Sequence, residues 1–387
     1  MNKIQLGRAS AQASPSSRRR ARGALLTVLA LALGSVVAPA SAAVWWTTSP
    51  TVVIGSKIVD VRNAGARGDG VHDDTAAFQA AINSLPSTGG TVVVPAGRYM
   101  INPVASIKMR SHTRLKLDPS AQLVAIPTSS ERYYVIKVWG VTDVEVTGGQ
   151  VIGERAKHMG STGEWGMGVD IRASDNVYLH DIKVSSCWGD GVYVGATGPA
   201  GSAIPSTDVT LRNVVSDGNR RQGLSITVVD RVFVYNSTFS NNVGILPQSG
   251  IDVEPMWQGP TRNVRIEKNH LIGNAGNGLV MHGDVSGVVV KSTTSEKNNG
   301  YGILAIDIAN TWIAANLITQ NGLDGVAMTK ATHDVKITSN TINYNSTRWF
   351  ITNNRSIFML TKSPRDVQID STTRNITFTN NILSPTP

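Results

Sequence analysis

The stretch SGIDVEPMW, residues 249–257, sets Asp252 and Glu254 two apart in an apolar frame. In an extended strand, side chains two apart leave the same face, with Cβ atoms roughly 6.5–7 Å apart. Two such carboxyl groups can cleave a glycosidic bond: one protonates the leaving oxygen while the other activates water or attacks directly. Their mutual repulsion separates their pKa values and keeps an acid available. A third acid, Asp190, lies in WGDGVYVG, and a fourth, Asp170, in GMGVDIR. GNRRQG contributes Arg220 and Arg221, a pair suited to clamping a uronate carboxylate. Trp165, Trp188 and Trp257 offer flat faces on which sugar rings stack. Tyr193 and His282 lie in repeats of the same glycine-led pattern, at Gly191 and Gly278. The simpler alternatives are an idle solvent-facing acid pair, a calcium patch, arginines paired with Asp190 and Asp217, and tryptophans that only pack loops. The chain has no zinc-ligand spacing, nucleophile elbow or phosphate loop, and the acids carry the chemistry.

What must position these residues is a repeat. A glycine followed by alternating apolar residues recurs at Gly168, Gly191, Gly223, Gly250, Gly278, Gly302 and Gly325, at spacings of 23, 32, 27, 28, 24 and 23 residues. Periods of this size signal a solenoid. Short second strands such as DVTLRNV, NVRIEKN and DVKITSN lie between, and Asn and Gly at the corners tolerate left-handed backbone angles. The pattern predicts a parallel β-helix in which the residue after each glycine, and the one two further on, point into the core. The intervening residues are expected to face solvent: Asp170, Tyr193, Ser225 and Asp252 on one level, and Arg172, Thr227, Glu254 and His282 on the next. Asp190 and Gln222 line the corner before their glycines. HDDTAAFQAAINSLP reads as a helix with Asp73 or Asp74 at its start, placed to cap the open end of the coil.

The first 42 residues read as an export signal: RRRAR, a short apolar run, and a small-residue cleavage site after Ala42. That leaves residues 43–387 as one β-helix domain, secreted or periplasmic. The leader holds six basic residues and no acids, so the net charge of +9 falls to +3 on cleavage. This gives no ground for a nucleic-acid partner, and no later segment reads as membrane-spanning. The lone Cys187 excludes an intrachain disulfide and reads as a buried small hydrophobe. A monomer is expected.

DVRNAGARGDGVHDDTAAFQAAIN, followed by GGTVVVPAGRY, closely resembles the opening of the pectate-lyase-like, right-handed parallel β-helix proteins. The resemblance extends over nearly all of residues 57–387 and implies an all-β, single-stranded, right-handed parallel β-helix solenoid with an N-terminal capping helix. That group includes polygalacturonase-like hydrolases, depolymerases, lyases and epimerases. WGDGVYVG is similar to the place where polygalacturonase-type hydrolases carry Asn-Thr-Asp-Gly, which implies a catalytic-type acid at Asp190. The next rung, RRQGLSI, lacks their paired aspartates, and their Gly-His-Gly and Arg-Ile-Lys motifs are missing. DVEP departs from the Asp-Pro-His type motif that the epimerase relatives favour, although it occupies a similar kind of rung.

The expectation is an exported enzyme acting on a polysaccharide. In the first reading it is a hydrolase with Asp252, Glu254 and Asp190 as catalytic acids and no metal or cofactor. Substrate contacts are assigned to Arg220, Arg221, Tyr193, Trp188, Trp257, His282 and Asp170. The alternative enzyme is a lyase of a uronate polymer, in which an arginine or calcium neutralises the carboxylate and His282, Arg221 or Tyr193 removes the proton. A non-catalytic glycan-binding solenoid is the third reading.

Overall fold

The computed structural model describes residues 45–347 and 365–384; the expected export signal lies outside them. The chain forms a right-handed parallel β-helix, preceded by the helix Thr75–Asn83. At the helix start Asp73 Oδ1 accepts from Thr75 N (2.9 Å), while Asp74 turns back to accept from the backbone of Arg67 and Gly68. Phe78, Ala81 and Ile82 are the buried face. No helix among the described residues is long and apolar enough to cross a membrane.

Each coil has three faces. The first is a sheet that includes Trp165–Arg172, Val192–Gly195, Leu224–Ile226, Ile251–Val253 and Leu279–His282. The second and third form one continuous sheet, because strands such as Asp175–Ser185 and Ser206–Asp217 run from one face into the other. Between them the chain turns through left-handed residues, Asn213 (φ 53°) and Asn236 (φ 48°) among them. Stacked rungs are in register: Val192 lies beside Leu224, Leu224 beside Ile251, and Ile251 beside Leu279. These columns fill the core without exposure. Each buried aliphatic side chain contributes about 1.5–3 kcal/mol relative to leaving it in water.

The recurring glycine has a steric cause. A Cβ on Gly278 would come within 2.0 Å of Ser295 Oγ and 2.7 Å of the Gly302 carbonyl. The space is taken by the next rung and by a buried asparagine ladder. In it Asn219, Asn242, Asn274, Asn298, Asn321 and Asn345 each donate from Nδ2 to the following carboxamide, ending on Asp366, at 2.7–3.1 Å. Each ladder carbonyl also accepts the backbone N–H of the preceding member, as Asn298 Oδ1 does from Asn274 N. Asn298→Ala is therefore expected to strip two donors of Asn274 of their acceptor. The loss should be ~3 kcal/mol of stability, read by chemical denaturation with an unchanged m-value. A loss below ~1 kcal/mol would show the ladder to be dispensable.

The segment before the first coil runs up the second face. Val53 N donates to Asp143, Asn176 and Tyr178 donate to the carbonyls of Thr51 and Thr48, Arg212 donates to Ser49, and Arg265 covers the Trp46 ring. The strap thus crosses several rungs.

Candidate functional site

Four successive rungs of the first face bring the site together. Asp190 precedes the strand Val192–Gly195, Arg221 the strand Leu224–Ile226, Asp252 lies within Ile251–Val253 with Glu254 just after it, and His282 ends Leu279–His282. Strand register sets Ser225 beside Asp252 and Val253 beside Met281, so Glu254 and His282 are lateral neighbours.

Arg221 is the hub. Its guanidinium lies 3.2 Å from Asp190 Oδ2, 3.5 Å from Glu254 Oε1 and 3.5 Å from Glu164 Oε2. Ser225 Oγ also donates to Asp190. Glu254 Oε2 is 3.0 Å from His282 Nε2, which lies 3.5 Å from Asp252 Oδ1. Gln222 Nε2 donates to the other Asp252 oxygen.

The first outward row faces away from the core, as the alternation predicts, but does not reach solvent. Asp170, Asp190, Ser225 and Asp252 are fully buried, and Tyr193 is nearly so. Taller neighbours cover them: Trp139 and Arg172 over Asp170, Arg221 over Asp190, Gln222 and His282 around Asp252. Of the three acids given catalytic roles, only Glu254 is open to solvent, its side chain one-fifth exposed (20%).

Burial sets the proton affinities. It pushes Asp252 upward, with the His282 contact opposing. Hydrogen bonding to His282 holds Glu254 low, helped by the Arg221 charge. Asp252 and Glu254 together raise His282 to about 10. Burial raises Asp190 to about 6, against the Arg221 charge and the Ser225 hydrogen bond. An acid raised on folding supports the fold fully below its unfolded pKa of about 4, and that support falls as pH rises through about 6. Asp190→Asn should remove this slope. Its Tm relative to the parent should improve between about pH 4 and pH 7, and a constant difference would refute the shift.

Beside Glu254 opens a cleft of about 450 Å³. Arg132, Arg172 and Arg221 line it, against the carboxylates of Glu164 and Glu254. Trp165 and Trp257 form aromatic walls, and Trp257 is 70% exposed. Tyr193 reaches the cleft beneath the Arg172 guanidinium, 4.1 Å from its ring centre, and its hydroxyl accepts from Thr227. Asp170 is paired with Arg172 through two hydrogen bonds of 2.7 and 2.9 Å and supports that arginine from below. Trp188 and Arg220 stand apart. The Trp188 ring stacks on His158 at 3.8 Å, and Arg220 lies 3.7 Å from its centre, so both ring faces are occupied. Arg220 donates to the carbonyls of Gly163 and Trp188 and ties down a loop. The sequence reasoning assigned no role to Arg132 or Glu164. Arg132 begins a strand without the glycine signature, and its guanidinium lies 4.6 Å from the Trp165 ring centre.

Residues 58–304 match the family described as rhamnogalacturonase A/epimerase, pectate lyase-like. The chain belongs to this family. As a rhamnogalacturonase A/epimerase family member it is a β-helix of the carbohydrate-active or carbohydrate-binding kind. Residues 249–384 also match a right-handed beta helix region. Among its relatives is the uncharacterized protein YclG of Bacillus subtilis, 28% identical over 74% of this chain and 55% of YclG. Mannuronan C5-epimerase AlgE5 of Azotobacter vinelandii is 29% identical over 72% of this chain and 26% of the epimerase. The chain therefore spans about half, or less, of the curated relatives it matches. The solved structure of the surface protein and adhesin PfbA of Streptococcus pneumoniae shares the fold at a TM-score of 0.63. It is 18% identical, over 85% of this chain and 97% of PfbA. The family fold thus occurs in enzymes and in an adhesin.

Proposed function

We propose that the cleft binds a uronate-containing polysaccharide and cleaves it by β-elimination. The observation that carries this is the lining: three guanidiniums, from Arg132, Arg172 and Arg221, converge on one aromatic-walled cleft, against the two acids Glu164 and Glu254. Guanidinium groups match carboxylates in shape and charge. The name of the AlgE5 relative, a C5-epimerase of mannuronan, places its chemistry at a carbon that bears a carboxylate and supports the same substrate class here. Hydrolysis by two carboxyl groups is the weaker reading. It needs both acids at the scissile bond; Asp190 and Asp252 are sealed beneath other side chains, and Glu164, the second acid of the cleft, faces the Arg221 guanidinium at 3.5 Å.

In the proposed reaction Arg172 and Arg221 neutralise the uronate carboxylate, which acidifies the neighbouring C–H. Glu254 takes that proton. The freed electron pair forms a C4=C5 double bond, the C4–O bond breaks, and the departing oxygen takes a proton from His282. Glu254 then passes its proton to His282 across their 3.0 Å contact, restoring both groups. Asp252 is a positioning residue: it holds His282, and Gln222 holds Asp252.

The test is a product assay on uronate-containing and neutral polymers, following new reducing ends and near-ultraviolet absorbance of unsaturated uronate together. Elimination predicts that both rise on a uronate polymer. Reducing ends without absorbance would establish hydrolysis instead. Binding with neither signal would make the protein a glycan-binding solenoid.

A further inference from the structure

Asp252, Glu254 and His282 each present one ligand atom, and these atoms all lie within 4.8 Å of one another. Their backbones are fixed by two adjacent rungs in register. Asp252 is fully buried, and its Oδ1 has no hydrogen-bond donor among the described residues. At 3.5 Å the His282 nitrogen is near enough to attract this oxygen but does not donate to it. A buried carboxylate oxygen left without a partner is costly. This one is aimed between an imidazole nitrogen and a second carboxylate.

The donor set discriminates among ions. Calcium, the alternative to an arginine in the lyase reading, takes six to eight oxygen ligands. Here there are two carboxylates and an imidazole, and one Asp252 oxygen is committed to Gln222. The set does not fit calcium. It suits borderline transition ions, which accept imidazole and carboxylate together and keep an open position beside three protein ligands. Ligand bonds of about 2.0–2.2 Å in a tetrahedral site set the ligand atoms roughly 3.3–3.6 Å apart. The two His282 contacts, at 3.0 and 3.5 Å, are near that spacing, and the two carboxylates, within 4.8 Å of each other, close by no more than about 1.5 Å.

We propose that Asp252, Glu254 and His282 form a site for a divalent transition cation of the Zn²⁺ type, which displaces the proton shared by His282 and Glu254. The consequence for turnover rests on the elimination reading: a cation on Glu254 occupies the base, so it inhibits.

The experiment is a Co²⁺ titration of the chelator-stripped full chain, read by visible absorption, with Zn²⁺ and Ca²⁺ as competitors. The expected result is a Co²⁺ spectrum displaced by Zn²⁺ and not by equal Ca²⁺, with affinity at least about tenfold weaker in His282→Gln and in Asp252→Asn. His282 is half-exposed, so its variant tests the site without the folding risk of the buried aspartate. A spectrum unchanged by His282→Gln, no Co²⁺ binding, or displacement by Ca²⁺ as readily as by Zn²⁺ would overturn the site. Cation binding alongside a product assay that stays silent on the chelator-stripped chain would sink the elimination and leave the site standing. Turnover in a chain that binds no Co²⁺ would do the reverse.

Discussion

Glu254→Gln is expected to lower the rate of unsaturated-product formation from a uronate polymer by about three orders of magnitude, within the range for loss of a general base. The substitution keeps the side-chain shape and removes the group that accepts the proton. Its contacts with Arg221 and His282 are at 3.5 and 3.0 Å in a partly open setting, so the fold should tolerate the loss with less than about 1 kcal/mol change. The three arginines of the lining remain, so polymer binding should persist within about threefold. Initial rates and equilibrium binding measured on one preparation separate the two effects. A rate reduced by less than about tenfold would remove Glu254 from the role of base.

Arg221→Met should have the largest effect on stability. The guanidinium is mostly buried and faces Asp190, Glu254 and Glu164. Methionine fills much of its volume but leaves Asp190 ionisable and sealed, with no cation beside it. Removing one partner of a buried pair costs about 3–5 kcal/mol, largely through the charge left behind. The same change should abolish turnover, because this arginine also faces the cleft. Adding Asp190→Asn to Arg221→Met should restore part of the lost stability and none of the activity. Urea unfolding of the two single variants and the double closes the cycle. Equal stability of the single Arg221→Met variant and the double would mean that Asp190 is not the stranded charge.

The solenoid was legible because its signal repeats: glycine, apolar, any, apolar recurs with each rung, and one period-two rule assigns inside and outside throughout. The same rule is silent on the height of neighbouring side chains, so Asp170 and Asp252, expected in solvent, are covered, as is Asp190 at its corner. Adjacency in sequence misled at the arginine pair. Arg221 turns to the acids, while Arg220, one residue earlier, turns to Trp188 and the loop carbonyl of Gly163. The asparagines were read as corner residues tolerant of left-handed angles, which holds for Asn213 and Asn236. Asn242, Asn274 and Asn298 instead form the buried ladder, a use visible only when rungs stack. The pairing of Glu254 with His282, 28 residues on, likewise depends on the length of one coil and its lateral register.

A stack whose units touch only their neighbours melts like a one-dimensional chain, free to fray from either end. The strap changes that connectivity. A single stretch from Trp46 to Val53 is fastened to residues as far apart as Asp143 and Arg265, and so joins rungs that otherwise communicate only through those between them. Opening any one of these rungs must either release the strap or stretch it. The coils beneath it, which include those carrying the cleft, should therefore exchange their amide hydrogens as one cooperative block, while the rungs beyond it exchange in graded steps towards the C-terminus.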